Sequence, residues 1–312
     1  MLDFFTSDVL SLIVVSLGVG VAVGLTGMGG GALMTPALIA FGIPPVTAVA
    51  NDLVASAANK TVGAAVHWRQ GSPHGHIAAW LMLGSIPTAF AGAFIVRSLG
   101  EPEEANATLL TMIGIALMLA AVTYLARTLL RLANPVGAAD DVQVKPVRTV
   151  LIGMLGGTLV GITSVGSGSV IMVTLLLLYP ALSPRKLVGT DLVQAVPLVV
   201  AAATSHVIVS GVDWSVLVPL LIGGPIGTYL GSRLSSIVRP SVVQNGIIVV
   251  LSLTSLALLG VPPVWVGVVG AALLILGPLA WTWIVRRVAR NGTADTTALL
   301  GEGAEPSRDE VS

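Results

Sequence analysis

Apolar runs follow one another along almost the whole chain, separated by short polar turns. In the first half they cover 8–26, 29–42, 46–66, 76–97 and 107–130. In the second they cover 148–165, 168–182, 187–209, 214–236 and 241–259, and an eleventh follows at 264–286. Runs of about 20 residues are long enough to cross a hydrocarbon core of roughly 30 Å. The second run of each half is shorter, which predicts a re-entrant or tilted piece rather than a full span.

The halves are related. Gly24-Leu-Thr-Gly-Met-Gly-Gly-Gly31 recurs as Gly161-Ile-Thr-Ser-Val-Gly-Ser-Gly168, an offset of 137. Downstream the offset becomes 139 and pairs Pro45 with Pro184, Asp52-Leu53 with Asp191-Leu192 and His67 with His206. It also pairs Gly84, Thr88 and Gly92 with Gly223, Gly227 and Gly231. An ordered series of this kind is the mark of a duplication.

With the N-terminus outside, Arg69, Arg127, Arg131, Lys145, Arg148, Arg185, Lys186, Arg233, Arg239, Arg286, Arg287 and Arg290 all fall inside. Only Arg97 falls outside, beside Glu101, Glu103 and Glu104. The positive-inside rule therefore selects an outside N-terminus and a cytoplasmic C-terminus in the plasma membrane. An odd number of segments per half inverts one repeat against the other. The expected fold is all-α: a polytopic transmembrane helical bundle with two inverted-topology repeats and Gly-broken or re-entrant helices. The expected units are a first repeat over 8–130, a cytoplasmic linker over 131–147 and a second repeat over 148–259. An extra helix at 264–287 and a disordered tail at 291–312 complete them. Trp68, Trp80, Trp214, Trp265, Trp281 and Trp283 lie near segment ends, where an interfacial belt would place them.

Composition agrees. Hydrophobic residues make up 54% of the 312 positions and charged residues 10%, against roughly 25% charged in a soluble domain. The absence of cysteine excludes disulfides and thiolate metal sites. The run from Val9 to about Thr26 lacks a basic flank, since Asp3 and Asp8 precede it, so it reads as a retained helix rather than a signal peptide.

Two features carry the candidate chemistry. Gly27, Gly29, Gly30 and Gly31, and Gly166 and Gly168 in the second copy, each cost a helix about 1 kcal/mol against Ala. Breaks there expose amide N–H groups and a half-helix N-terminus, which favour an anion. Thr26, Thr163, Ser164, Ser167 and Ser169 add hydroxyl donors. The run lacks the Lys-Ser/Thr of a nucleotide-binding loop.

The third segments carry charge within the apolar runs. Asp52, Ser56, Asn59 and Lys60 follow helical spacing on one face, beside Asn51. Asp191, beside Thr190, repeats Asp52, but Val199 stands opposite Lys60, so the site is asymmetric. Charge at this depth faces a cavity or a partner. Lys60 could neutralise an anion, and Asp52 or Asp191 could take up a proton. These segments are expected to hold the only deep charges.

The remaining motifs read structurally. His67 and His206 at the ends of the third segments are expected to bond nearby carbonyls. His74 and His76 lack diagnostic metal spacing. The stripes Gly84, Thr88, Gly92 and Gly223, Gly227, Gly231 let helices approach closely.

The glycine runs, Pro36-Ala-Leu38, Gly42-Ile-Pro-Pro-Val-Thr-Ala48 and Ser183-Pro-Arg-Lys-Leu-Val-Gly-Thr190 together resemble the sulfite exporter TauE/SafE (TSUP) membrane proteins over roughly residues 10–258. The resemblance implies movement of sulfite, a sulfonate or a related organic or sulfur-containing anion, with no cofactor. The partners expected are a small anionic substrate and the lipid bilayer, with no nucleic acid. Apolar lipid-facing surface is also compatible with a homo-oligomer. The leading function is an ion- or proton-coupled secondary transporter. The alternatives are an anion channel, or a cation transporter using Asp52 and Asp191. The sequence offers no Walker, HExxH or G-x-S-x-G motif for an enzyme.

Overall fold

The computed structural model describes residues 7–26, 30–69, 73–133, 139, 142–234 and 240–277. The first half builds α1 (Ser7–Thr26), α2 (Gly31–Ala40), α3 (Pro45–Arg69), α4 (Gly75–Arg97) and α5 (Pro102–Ala133). The second builds α6 (Pro146–Thr163), α7 (Val170–Leu178), α8 (Pro184–Val209), α9 (Trp214–Leu234) and α10 (Pro240–Leu258). α11 (Pro263–Gly277) follows. Proline opens six of these helices, where its fixed φ suits the first turn and its missing N–H costs nothing. The expected all-α bundle is what forms. The rest of the eleventh segment, most of the linker and the tail lie outside the described residues.

Among the described residues five helices are long and apolar enough to cross a membrane: α4, α5, α6, α8 and α9. α3 has the length, with 25 residues, but Asn51, Asp52, Asn59 and Lys60 lower its hydropathy. α2 and α7, with 10 and 9 residues, reach only about 15 Å, half of a hydrocarbon core.

The packing exchanges the halves. α1 lies along α9, and α6, the counterpart of α1, lies along α4, the counterpart of α9. α3 packs on its own counterpart α8, and α5 on α10. Each swapped pair thus joins a helix of one copy to a helix of the other, and each self-pair joins a helix to its own counterpart. The glycine stripes make it close: a Cβ on Gly92 would meet backbone of Gly161, and one on Gly24 would meet backbone of Thr228 and Gly231. Thr88 Oγ1 crosses the α4–α6 contact to donate to Met154 O at 3.2 Å. The stripes therefore serve packing, as expected.

The main core gathers Leu53, Leu81, Leu117, Ile171 and Leu198 from α3, α4, α5, α7 and α8. A smaller cluster joins α1, α2, α3 and α9 through Leu12, Leu38, Ala55 and Leu220. Outside these, Trp214 and Trp265 are exposed.

Candidate functional site

The second glycine segment breaks the chain between α6 and α7. α6 ends where Ser164 turns left-handed at φ 61, and Gly166 follows at φ 118. A non-glycine residue in that region costs about 1–2 kcal/mol, so the position must be held by its surroundings. It is: Ser164 N donates to Val160 O at 2.8 Å, and its hydroxyl reaches α3. The first glycine segment meets the second here, since a Cβ on Gly31 would run into the Ser164 backbone. Gly30 and Gly31 are thus placed. Gly27, Gly29 and the side chain of Thr26 lie outside the described residues.

Asp52, buried on α3, ties these pieces together. Its Oδ2 accepts from Thr35 Oγ1 of α2 at 2.6 Å and from Ser164 Oγ at 2.9 Å. Its Oδ1 accepts from Ser56 Oγ, one turn on, at 3.2 Å. A buried carboxylate needs such donors, and here they come from three different parts of the chain. Two turns along α3, Lys60 is 8% exposed and donates from Nζ to Ser167 Oγ in the glycine loop of the other half.

In α8, Asp191 is buried and its Oδ1 accepts from Gln194 Nε2 at 3.1 Å. Lys60 and Arg127 are the cations that act on it. Arg127 corrects the expectation that only the third segments hold deep charge. α5 continues to Ala133 and carries Arg127 into the protein, where it is 9% exposed.

The remaining site residues divide. Thr163 Oγ1 donates to Leu159 O and accepts from Val165 N, so it is committed to the helix end. Thr190 Oγ1 accepts from His74 N at 2.8 Å, tying α8 to the start of α4. Asn51 donates to Thr47 O, leaving its buried Oδ1 without a partner. Asn59 turns to α9 beside Gly224 rather than to the Lys60 contact, and its Oδ1 is also unpartnered. Ser169 Oγ, at the start of α7, is buried and unpartnered too. Gly166 and Gly168 lie in the loop itself. His206 bonds Gly161 O at 2.8 Å, as expected, and the side chain of His67 lies outside the described residues. His74 caps α4, and no group of three metal-ligating side chains occurs among the described residues.

Sequence reasoning placed Ser56 on the face of Asp52 and named Ser164, but missed Thr35 and the roles of Gln194 and Arg127. Gln194 carried a signal, lying one turn after Asp191 inside an apolar run.

The profile of the family described as "Sulfite exporter TauE/SafE" matches residues 12–258. The chain is 35% identical to "Probable membrane transporter protein YjnA" of Bacillus subtilis (strain 168) over 75% of this chain and 93% of that one. It is 27% identical to "Probable membrane transporter protein YdhB" of the same organism, over 80% of this chain and 99% of that one. No solved structure matches it.

Proposed function

The chain belongs to the sulfite exporter TauE/SafE family, and from that premise we propose that it is a secondary transporter for a small anion. The substrate is sulfite, a sulfonate or a related sulfur-containing organic anion, moved across the plasma membrane with an ion or proton. The observation that carries this reading is Lys60, a buried cation bonded to a neutral hydroxyl in the opposite glycine loop. A charge at mid-bilayer costs roughly 2.5–3.5 kcal/mol on insertion scales and persists where function needs it. Its hydrogen bond goes to a neutral hydroxyl and not to Asp191 or Asp52, the carboxylates that act on it. The ammonium can therefore be shared with an anion entering where the glycine segments meet. Asp52 and Asp191 are the groups that would carry the coupling ion.

Sidedness has support from contacts between loops. Val46 N donates to Asn106 Oδ1, and a groove joins Val46 and Thr47 to residues 210–215, all on the side read as external. Thr190 meets His74, Ala139 pairs with Leu182, and Lys145 N donates to Tyr179, all on the side read as cytoplasmic. The inverted arrangement, with α2 and α7 beginning inside the bilayer at the glycine segments, follows from that reading.

The test is uptake of radiolabelled sulfite and a simple sulfonate into proteoliposomes, with and without a pH gradient. Saturable uptake that rises with the gradient is expected. In Lys60→Ala it should fall about 100-fold, the loss of about 3 kcal/mol from a buried charged contact. Anion flux indifferent to the gradient would mean a channel. The oxygen cluster around Asp52 favours a second reading as a cation site, which anion-independent ²²Na⁺ uptake would support.

A further inference from the structure

We propose that Arg127 is a second cationic ligand for the transported anion, acting with Lys60 to hold an oxyanion at the Asp191 end of the core. This deepens the anion-transport reading and rests on it. Arg127 stands six residues before the end of α5, within a long apolar run. Burying a guanidinium costs several kcal/mol unless its charge and its donors are both answered. The charge has an answer: Tyr124, one turn back on α5, and Asp191 both act on Arg127, and Asp191 acts on Lys60 together with Asp52. One of the donors does not, because Arg127 Nε is buried without a hydrogen-bond partner. The other carboxylate near Lys60, Asp52, is already taken up by three hydroxyls. Asp191, with Oδ1 on Gln194, is thus left to serve two cations from two different helices.

An unfilled N–H on a guanidinium fork selects a particular ligand. The fork matches two oxygens held on one atom, as in sulfite, sulfonate or carboxylate, and gains less from a spherical halide. Lys60 supplies a point charge, while Arg127 supplies shape. Both cations belong to the first repeat. Val199 stands where Lys60 would recur, and the position matching Arg127 is Val266, beyond the end of α10. The clasp is therefore single, at one end of the molecule.

The experiment compares full-length wild type, Arg127→Lys and Arg148→Lys in proteoliposomes. The last changes an exposed arginine at the start of α6. The readouts are the KM for radiolabelled sulfite and its displacement by chloride. Arg127→Lys keeps the charge and loses the fork. It should raise the KM at least about tenfold, the cost of one charged contact, and make chloride a better competitor relative to sulfite. Arg148→Lys should leave both unchanged. A sulfite KM and chloride preference within about twofold of wild type in Arg127→Lys would overturn the proposal while leaving the anion reading intact. If Arg127→Lys does not stay folded, Arg127→Met, which fills similar volume without burying a donor, decides by the same readings. No saturable sulfite or sulfonate uptake by wild type would remove the anion reading and this proposal together.

Discussion

Helices α3 and α8 are copies of one element, pack against each other and carry an aspartate at the same position, yet different chemistry answers the two carboxylates. Asp52 accepts from Thr35, Ser56 and Ser164. In the other copy the counterparts of Ser56 and Ser164 are Ala195 and Gly27, so these hydroxyls are absent. Asp191 has Gln194 instead, where α3 has Ala55, together with the charges of Lys60 and Arg127. The Lys60–Ser167 bond is missing from the second copy at both ends, because Val199 and Gly30 replace its partners. Duplication preserved the frame while the polar partners diverged in matched sets. A carboxylate held by neutral hydroxyls can fix the glycine break in place. In the proposed mechanism, the cations beside Asp191 are the groups that can turn from a carboxylate to an anionic substrate.

The comparison breaks most sharply if the missing cation is restored. Val199 is 1% exposed, and Val199→Lys places a charge there with no hydroxyl to meet it. We expect it to lose about 3 kcal/mol of stability, the cost of an unanswered charge at that depth, read as a lower melting temperature in detergent. Gly30→Ser restores the other half of the pair. A Cβ on Gly30 meets only Val23 Cγ2 at 3.5 Å and Ser56 Oγ at 3.8 Å, so the change should be tolerated alone. The double variant should recover about 1 kcal/mol relative to Val199→Lys, the usual worth of one hydrogen bond. Equal stability of the single and double variants would mean that the two loops are not equivalent in space.

The frame itself should respond symmetrically. Cβ atoms on Gly92 and Gly231 would each meet backbone, from Gly161 in one contact and Val21 in the other. Gly92→Ala and Gly231→Ala are both expected to lose about 1–3 kcal/mol by overpacking and to agree within about 0.5 kcal/mol. Gly246→Ala meets nothing within 4 Å and should be neutral or slightly stabilising. Thermal unfolding of the three variants decides, and unequal losses at Gly92 and Gly231 would show that the scaffold has diverged along with the site.

Much of this was legible in the sequence because it depends on local pattern. Glycine clusters mark where helices break, and proline marks where they begin. The spacing of Asp52, Ser56 and Lys60 places them on one face. Which neighbour that face meets is a long-range matter. Ser164 lies 112 residues from Asp52, and no periodicity in either segment names the other. The glycine stripes foretold close approach but not that α1 would choose α9 and α6 would choose α4. Arg127 misled because a charge near the cytoplasmic end of its segment was counted toward sidedness and not as a buried charge. The helix in fact runs on to Ala133, so the residue turns inward instead of marking the boundary.

The smallest expected effect makes α3 resemble α8. Ser56→Ala installs the residue found at the matching position, Ala195. Ser56 Oγ is the longest of the three donors to Asp52, at 3.2 Å, and Oδ2 keeps both Thr35 and Ser164. Loss of this hydroxyl should therefore cost no more than about 0.6 kcal/mol, the average for a hydrogen bond between membrane helices. Ser164→Gly, which installs the residue found at Gly27, removes a shorter contact that ties two halves together. A charged hydrogen bond is worth about 1.5–3 kcal/mol, but glycine also relieves the left-handed backbone by about 1 kcal/mol. Ser164→Gly should consequently exceed Ser56→Ala by only a fraction of the bond it breaks. Melting temperatures measured side by side would show it. A larger loss in Ser56→Ala would mean that the contact along α3, not the tie across the glycine break, holds Asp52 in place.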